Sequence, residues 1–183
     1  MKRCALLALS ISLVLLSGCK STEKYEEQYE QWKTSYLAEA EQELDAEVTV
    51  SDDEGVCQYK LHYTRSGEEQ TIEVLEPQLI TKVKARLKDD KAQLSYEGAI
   101  LDSGSTVPQQ LSPMMALPTF MKFIKEGHFE TGWRETIDDT DMLVTELELP
   151  DGSRMTFWQR AADMSPAIAA IRSGKKLEVK ILF

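Results

Sequence analysis

The side chains that commonly carry out catalysis are sparse in this sequence and form no recognisable set. His62 and His128 lie far apart, and neither joins a cysteine in a nucleophile motif. Ser103-Gly104-Ser105 has the composition of a turn, which is favoured over a catalytic serine. Asp138-Asp139-Thr140-Asp141 could chelate calcium weakly, but it lacks the glycine and distant glutamate of an EF-hand loop, so a solvated turn is favoured. We therefore predict a protein that is not an enzyme and uses no metal and no cofactor.

The N-terminal segment contains the cysteine with the clearest chemical role. Lys2 and Arg3 precede an apolar run from Ala5 to Leu16, which is the layout of a secretory signal peptide. This run is shorter than the ~20 residues of a membrane-spanning helix. Leu16-Ser17-Gly18-Cys19 then resembles the lipobox of bacterial lipoproteins, in which the cysteine is acylated and becomes the new N-terminus. We predict lipid attachment at Cys19, with an ordinary signal peptide and a chance cysteine as the alternative.

This interpretation fixes the predicted organisation of the chain. Residues 1–18 are a signal peptide, 19–24 a lipidated tether and 25–183 one domain. Two or more acyl chains, such as palmitate, attach a protein stably to a membrane, so we expect the mature chain to stay on the extracytoplasmic face. In a Gram-negative cell, Lys20 in place of aspartate would resemble an outer-membrane address.

Composition excludes some partners and gives the other cysteine a structural role. The chain has 31 acidic and 21 basic residues; losing Lys2 and Arg3 with the signal peptide changes its net charge from −10 to −12. Such a surface repels nucleic acid and anionic lipid headgroups, so we expect neither as a direct partner. Cys57 lies in an alternating run with Tyr59 and Leu61, so a buried position is favoured over a reactive or dimer-forming thiol.

The spacing of apolar residues predicts a mixed helical and antiparallel fold. From Ser21 to about Asp45, aromatic and apolar residues recur every three or four positions, which predicts an amphipathic helix docked on the domain. A helix lying on the membrane is less favoured, because its polar face is acidic. After Ala46, apolar and polar residues alternate in short runs that are separated by polar turns. This is the pattern of an antiparallel sheet with one solvent-exposed face. The predicted strands lie within 48–50, 56–64, 72–74, 82–87, 94–96, 129–137, 143–149, 154–159 and 177–183.

Two further helices interrupt these strands. Ser112-Pro113 opens one that ends at Gly127, with Pro118 inside its first turn or kinking it slightly. Its methionines suit contact with varied apolar ligands, although core packing is the commoner cause of such a helix. Ser165-Pro166 and Gly174 punctuate a second, shorter helix, with Ile168 and Ile171 on its apolar side.

Taken in order, these segments resemble the LolA/LolB superfamily of lipoprotein carriers. The similarity is carried by the N-terminal helix, Cys57-Gln58-Tyr59, Val74-Leu75-Glu76-Pro77, Leu94-Ser95-Tyr96-Glu97-Gly98, Leu111-Ser112-Pro113 and the closing strand at Phe183. It is greatest for the lipid-anchored LolA-like proteins of clostridia, which include spore-germination lipoproteins. The resemblance implies an α+β fold: an unclosed antiparallel half-barrel with helices in or over its concave face and an apolar cavity for acyl chains.

Two functions remain open at this point. The first is a membrane-anchored lipoprotein that binds an acyl chain or another hydrophobic ligand. Its cavity residues, chosen by polarity, are Tyr59, Leu61, Met114, Met115, Leu117, Phe120, Met121 and Ile124. The second is a non-enzymatic scaffold that regulates a cell-envelope partner, such as a peptidoglycan hydrolase, during sporulation or germination. Because a lipid on Cys19 would anchor the chain to one membrane, a role as a carrier that shuttles between membranes is disfavoured.

Overall fold

A computed structural model describes residues 19–53, 55–88, 91–101, 113–173 and 177–183. The predicted signal peptide and the Ser103-Gly104-Ser105 turn lie outside these residues. Two α-helices are described, α1 (Cys19–Ala38) and α2 (Ala116–Glu126), with 3-10 turns at Gln78–Ile80 and Pro113–Met115. The strands are β1 (Glu41–Asp52), β2 (Gly55–Ser66), β3 (Glu69–Glu76), β4 (Val83–Lys88), β5 (Lys91–Tyr96), β6 (Ala99–Leu101), β7 (His128–Ile137), β8 (Thr140–Glu148), β9 (Arg154–Arg160), β10 (Pro166–Ser173) and β11 (Leu177–Leu182).

The described strands form a single antiparallel sheet in the order β6-β5-β4-β3-β2-β1-β11-β10-β9-β8-β7. Strands β1 to β6 and β7 to β11 are two meanders, joined where β1 pairs with β11. Helix α2 lies in the connection between the meanders, and β6 and β7 are the two ends of the sheet. The predicted unclosed antiparallel sheet with an N-terminal helix is therefore confirmed.

The main core lies on one face of the sheet, which we call the inner face. Alternate residues of each strand point to this face, as the two-residue period of a strand requires. In the register of the central strands, Val48 of β1 lies opposite Tyr59 on one side and Ile181 on the other. Both helices supply aromatic side chains to the same core, as the contacts of Trp32 and Phe120 with Phe157 show.

The N-terminal helix is shorter than predicted. It ends at Ala38, and Leu44 belongs to β1. The predicted stripe continued through Ala40 and Leu44 because a spacing of four residues returns a side chain to the same face in a strand as well as in a helix. Only the intervening Gln42 and Ala46, both buried, reveal the two-residue period. Residues 19–24, predicted to be a tether, are the first turns of α1.

The second short helix was predicted wrongly, because 166–173 form strand β10. Ala169 and Ile171 of β10 are buried in the main core, while Ile168 packs with Trp158 and Ala167 on the opposite face. The sheet is apolar on both faces at this point, so the sequence shows no alternation of apolar and polar residues. Pro166 fits as the first residue of a strand, where a proline is tolerated.

Helix α2 was predicted to open at Ser112-Pro113, but it begins at Ala116 after the 3-10 turn at Pro113–Met115, and Ser112 lies outside the described residues. The rest of the helix agrees with the sequence. Pro118 is its third residue, within the first turn, where proline removes no helical hydrogen bond. The helix ends at Gly127, whose N–H donates to the Phe123 carbonyl oxygen at 2.8 Å. The tight β7–β8 turn is also as predicted. Asp138 and Asp139 both have positive φ values, 47° and 60°, as its two central residues.

Candidate functional site

The predicted cavity residues lie together, but most of them are closed off by the protein's own side chains. Leu61, Leu117, Phe120 and Ile124 are fully buried and Met121 is 6% exposed, all in one core cluster. The Phe120 ring centroid lies 5.3 Å from that of Phe157 and 4.9 Å from that of Phe183. The space beneath the centre of α2 is therefore occupied by side chains from β9 and the C-terminus.

The other three predicted residues are half-buried. Tyr59 and Met114 pack against the edge of this core, and Met115 lies at the end of the 3-10 turn before α2. Beside them, the inner face continues onto β4 and β5 with side chains that are only partly covered. Val83 lies opposite Tyr96, which is 40% exposed. We call this region the apolar wing, formed by Ile80, Val83, Leu87, Leu94 and Tyr96.

An aromatic row attaches α1 to the inner face. Trp32 stacks on Tyr36 with ring centroids 4.7 Å apart, and its centroid is 5.3 Å from that of Phe157. Tyr29 is fully buried, and its ring centroid lies 6.2 Å from that of Phe129 of β7. The predicted stripe of Tyr25, Tyr29, Trp32 and Tyr36 is therefore the docking face of the helix.

Burial determines the charge of these tyrosines. It raises the pKa of Tyr36 to about 12, and it raises the pKa of Tyr29 and of Tyr63 further. Desolvation disfavours a phenolate, so all three hydroxyls stay neutral at physiological pH. The row packs α1 onto the sheet and offers no general base.

A separate pocket of about 240 Å³ opens where α1 meets β1, and no pattern in the sequence indicated it. Its apolar lining is Tyr36, Leu44, Pro166 and Phe183, and its polar lining includes Gln42. The Gln42 amide nitrogen donates to the Tyr36 carbonyl oxygen at 2.6 Å, and its oxygen accepts from Arg65 Nε at 3.1 Å. The pocket is smaller than the ~300–1,000 Å³ of typical ligand sites. The sequence could not predict this pocket, because its lining residues lie in segments far apart in the chain.

Cys57 is exposed on β2, contrary to the predicted burial. It shares the inner face with Tyr59 and Leu61, but it lies near the start of the strand, where residues 55–58 are all exposed. The alternation correctly predicted that Cys57 lies on the inner face. It could not show that no other side chains cover the inner face at the start of β2.

Among the residues that the structure describes, the polar groups show no arrangement typical of a catalytic or metal site. His62 Nδ1 lies 2.7 Å from Asp45 Oδ1 in a cross-strand pair, which is an ordinary surface contact. In the ranges described, no three His, Cys, Asp or Glu side chains are grouped so as to hold a metal ion. Neither helix in those ranges combines the length and the hydropathy that a membrane crossing requires.

Comparisons with known proteins bear on the fold alone. The sequence matches no protein-family model, and no curated protein matches it significantly. A DUF1329 family protein from Desulfovibrio piger is similar in structure, with a TM-score of 0.53 and 10% sequence identity over 88% of this chain and 90% of that one. At this identity the likeness shows a shared fold and does not transfer a function.

Two more distant structures are also similar. One is a LolA superfamily protein from Nitrosomonas europaea, with a TM-score of 0.41 and 11% identity over 79% of this chain and 84% of that one. The other is a Vibrio parahaemolyticus domain assigned as an outer membrane lipoprotein-sorting protein. Its TM-score is 0.45, with 10% identity over 86% of this chain and 90% of that one. Neither is similar enough to support an argument about function. The resemblance to the clostridial subgroup stays a prediction.

Proposed function

We propose that this chain is an extracytoplasmic lipoprotein, attached to a membrane through lipid on Cys19, that binds an acyl chain or similar hydrophobic ligand on the inner face of its sheet. The observation that carries the ligand proposal is the partial exposure of the apolar wing. It is continuous with the core through Met114 and Tyr59, which pack against the same cluster. A ligand lying on the wing would remove apolar surface from water, which contributes about 25 cal/mol per Å².

Met114 is the side chain best placed to adapt to a guest. It is half-buried, unlike the closely packed Leu117 and Phe120, and methionine changes shape at low cost. A ligand can therefore occupy the wing and displace Met114 while the floor beneath α2 stays filled. We therefore expect the ligand at the start of α2 rather than beneath its centre.

The anchoring proposal rests on the sequence and is consistent with the course of α1. The basic and apolar segment before Leu16-Ser17-Gly18-Cys19 supports export and acylation. Helix α1 is described from Cys19 onwards and is packed on the sheet by its aromatic row. A lipid on Cys19 would thus hold the domain close to the membrane without a long flexible linker.

Mass spectrometry tests both parts. The chain purified from bacterial membranes in mild detergent should begin at Cys19 and carry a covalent diacylglycerol, together with a non-covalent acyl species. Met114→Glu should lose the non-covalent species, because a buried carboxylate is unfavourable beside an acyl chain. Leu79→Glu is the matched control, since Leu79 is 91% exposed, and it should retain the species. A wild-type protein that is consistently empty would refute ligand binding without affecting the anchor.

The scaffold function is the second candidate, and the closed packing beneath α2 favours it. Five of the eight predicted cavity residues are at most 6% exposed, so the inner face needs no ligand to be covered there. In that case cross-linking in whole cells should capture a cell-envelope protein reproducibly, and Met114→Glu should leave the capture unchanged. Adducts with lipid alone would count against this function.

A further inference from the structure

A second apolar cluster lies on the outer face of the sheet, opposite both helices. Met142, Val144 and Ala167 are almost completely buried there beneath half-buried Trp133, Ile137, Trp158 and Ile168. In the strand register, Trp133, Val144 and Trp158 lie side by side across β7, β8 and β9, followed by Ile168 and then Leu182, which is 38% exposed. We call Trp133, Ile137, Trp158, Ile168 and Leu182 the outer patch.

One carboxylate fixes the two indoles of this patch. The Nε1–H of Trp158 donates to Glu135 Oε1 at 2.5 Å, and the Nε1–H of Trp133 donates to Glu135 Oε2 at 3.1 Å. The two tryptophans are therefore held as a pair, and their polar N–H groups need no other partner. What remains partly accessible is the ring surface of the two indoles together with the Glu135 side chain, which is half-buried between them.

The position of α1 relates this patch to the membrane. Along α1, Trp32 lies against β9 and Tyr29 against β7, and a Cβ placed on Gly132 of β7 would lie 2.7 Å from the Tyr25 Cβ. The helix thus runs towards β7, the strand at one end of the sheet. Cys19 lies six residues before Tyr25, about 9 Å of helix at 1.5 Å per residue. A lipid on Cys19 would enter the membrane from this end.

We propose that the outer patch rests on the membrane that holds Cys19, with Trp133 and Trp158 in its interfacial region. This inference rests on the proposed anchoring and adds a second, non-covalent contact to it. Tryptophan is enriched at membrane interfaces, where its ring meets both apolar and polar surroundings. Trp133 follows Gly132 directly, so the patch begins on the same strand that α1 reaches.

The chemistry of the contact is apolar rather than electrostatic. Asp138 and Asp139 form the turn at the end of β7, next to Ile137, and they would be repelled by anionic headgroups. The contact is therefore expected with neutral lipid, for which a phosphatidylcholine bilayer is the probe, and it should not weaken as salt is raised. The basic side chain next to this end of the patch is Arg160, opposite Met142, and it donates to Ser165 Oγ and to the Pro166 carbonyl oxygen, so we expect no salt-dependent attraction from it.

Fluorescence quenching by brominated lipid tests the contact in the lipidated full-length protein. The protein is placed in phosphatidylcholine vesicles whose acyl chains carry bromine, which quenches tryptophan at short range. We expect quenching at low and high salt that Trp133→Phe and Trp158→Phe each reduce. Trp32→Phe is the matched control, because Trp32 lies on the inner face, and it should leave the quenched signal intact.

The same samples separate the anchor from the patch. Protein that floats with the vesicles while Trp133 and Trp158 stay unquenched overturns the outer-patch proposal and leaves the anchor standing. Protein that does not float overturns both. Quenching that disappears at high salt contradicts an apolar contact. Binding to purified peptidoglycan, or self-association, that Trp133→Phe abolishes while the vesicles quench nothing would assign the patch to that occupant and refute the membrane contact.

Discussion

Replacing Gly132 with alanine tests whether α1 is held as closely against β7 as the structure indicates. The added methyl carbon would lie 2.7 Å from the Tyr25 Cβ, 3.2 Å from the Phe129 Cζ and 3.3 Å from the Val144 carbonyl oxygen. Carbon atoms in favourable contact are about 3.5–4.0 Å apart. The Tyr25 Cβ is fixed to the helix backbone and cannot rotate away, so α1 must move by close to an ångström.

The expected cost is that of overpacking, about 1–3 kcal/mol of unfolding free energy. Urea unfolding followed by tryptophan fluorescence should show a lower midpoint with an unchanged slope, because the surface exposed on unfolding stays the same. Trp32 is a suitable reporter, since it stacks on Tyr36 within the helix–sheet interface.

A double-mutant cycle identifies the contact responsible. Tyr25→Gly removes the colliding Cβ, at a cost of its own that includes about 0.5–1 kcal/mol for glycine in a helix. In that background Gly132→Ala should cost at least ~0.5 kcal/mol less than in the wild type, the lower end of couplings measured between contacting residues. An equal cost in both backgrounds, or no cost in either, would show that α1 does not lie against Gly132 and refute the docking geometry.

Two other predictions follow from single side chains. The indole N–H groups of Trp158 and Trp133 hold the pKa of Glu135 below its ordinary range, so the stabilising effect of Glu135 is complete above the ordinary carboxyl pKa and is lost as the pH falls through the lowered value. Glu135→Gln should therefore abolish the change in tryptophan emission seen on acidification, whereas Glu130→Gln should preserve it. Because Cys57 is exposed, a thiol reagent should label one cysteine in the native, lipidated protein, and Cys57→Ser should remove the label. Additional labelling on denaturation would contradict acylation of Cys19 and removal of Cys4.

The accuracy of the sequence analysis differs between the two meanders for a physical reason. In the first meander the outer face is exposed to solvent. Leu61 and Tyr63 of β2 therefore alternate with the polar Lys60 and His62, and this alternation identifies the strand. In the second, the outer patch makes β10 apolar on both faces, and the two-residue period disappears from that strand. The segment 166–173 was therefore assigned as a helix although it pairs with β9 and β11.

The candidate site was predictable in composition but not in accessibility. The apolar spacing of α2 identified Leu117, Phe120 and Ile124 as residues of one buried face, and the structure brings them together. Whether that face encloses a space depends on side chains that fill it from distant strands. Phe157 and Phe183 contact the Phe120 ring, and no local pattern around residue 120 contains that information.

The two proposed surfaces lie in different parts of the sheet, and this separation restricts how a ligand could arrive. The outer patch begins on β7, whereas the apolar wing lies on β4 and β5. Eight strand spacings separate β7 from β4 in the sheet order, which at about 4.8 Å each is roughly 38 Å along the sheet. The wing also lies on the inner face and the patch on the outer face. A protein resting on its patch would therefore hold the wing away from its own membrane, so an acyl ligand would have to be delivered by a partner or a facing membrane rather than drawn from the bilayer that anchors Cys19.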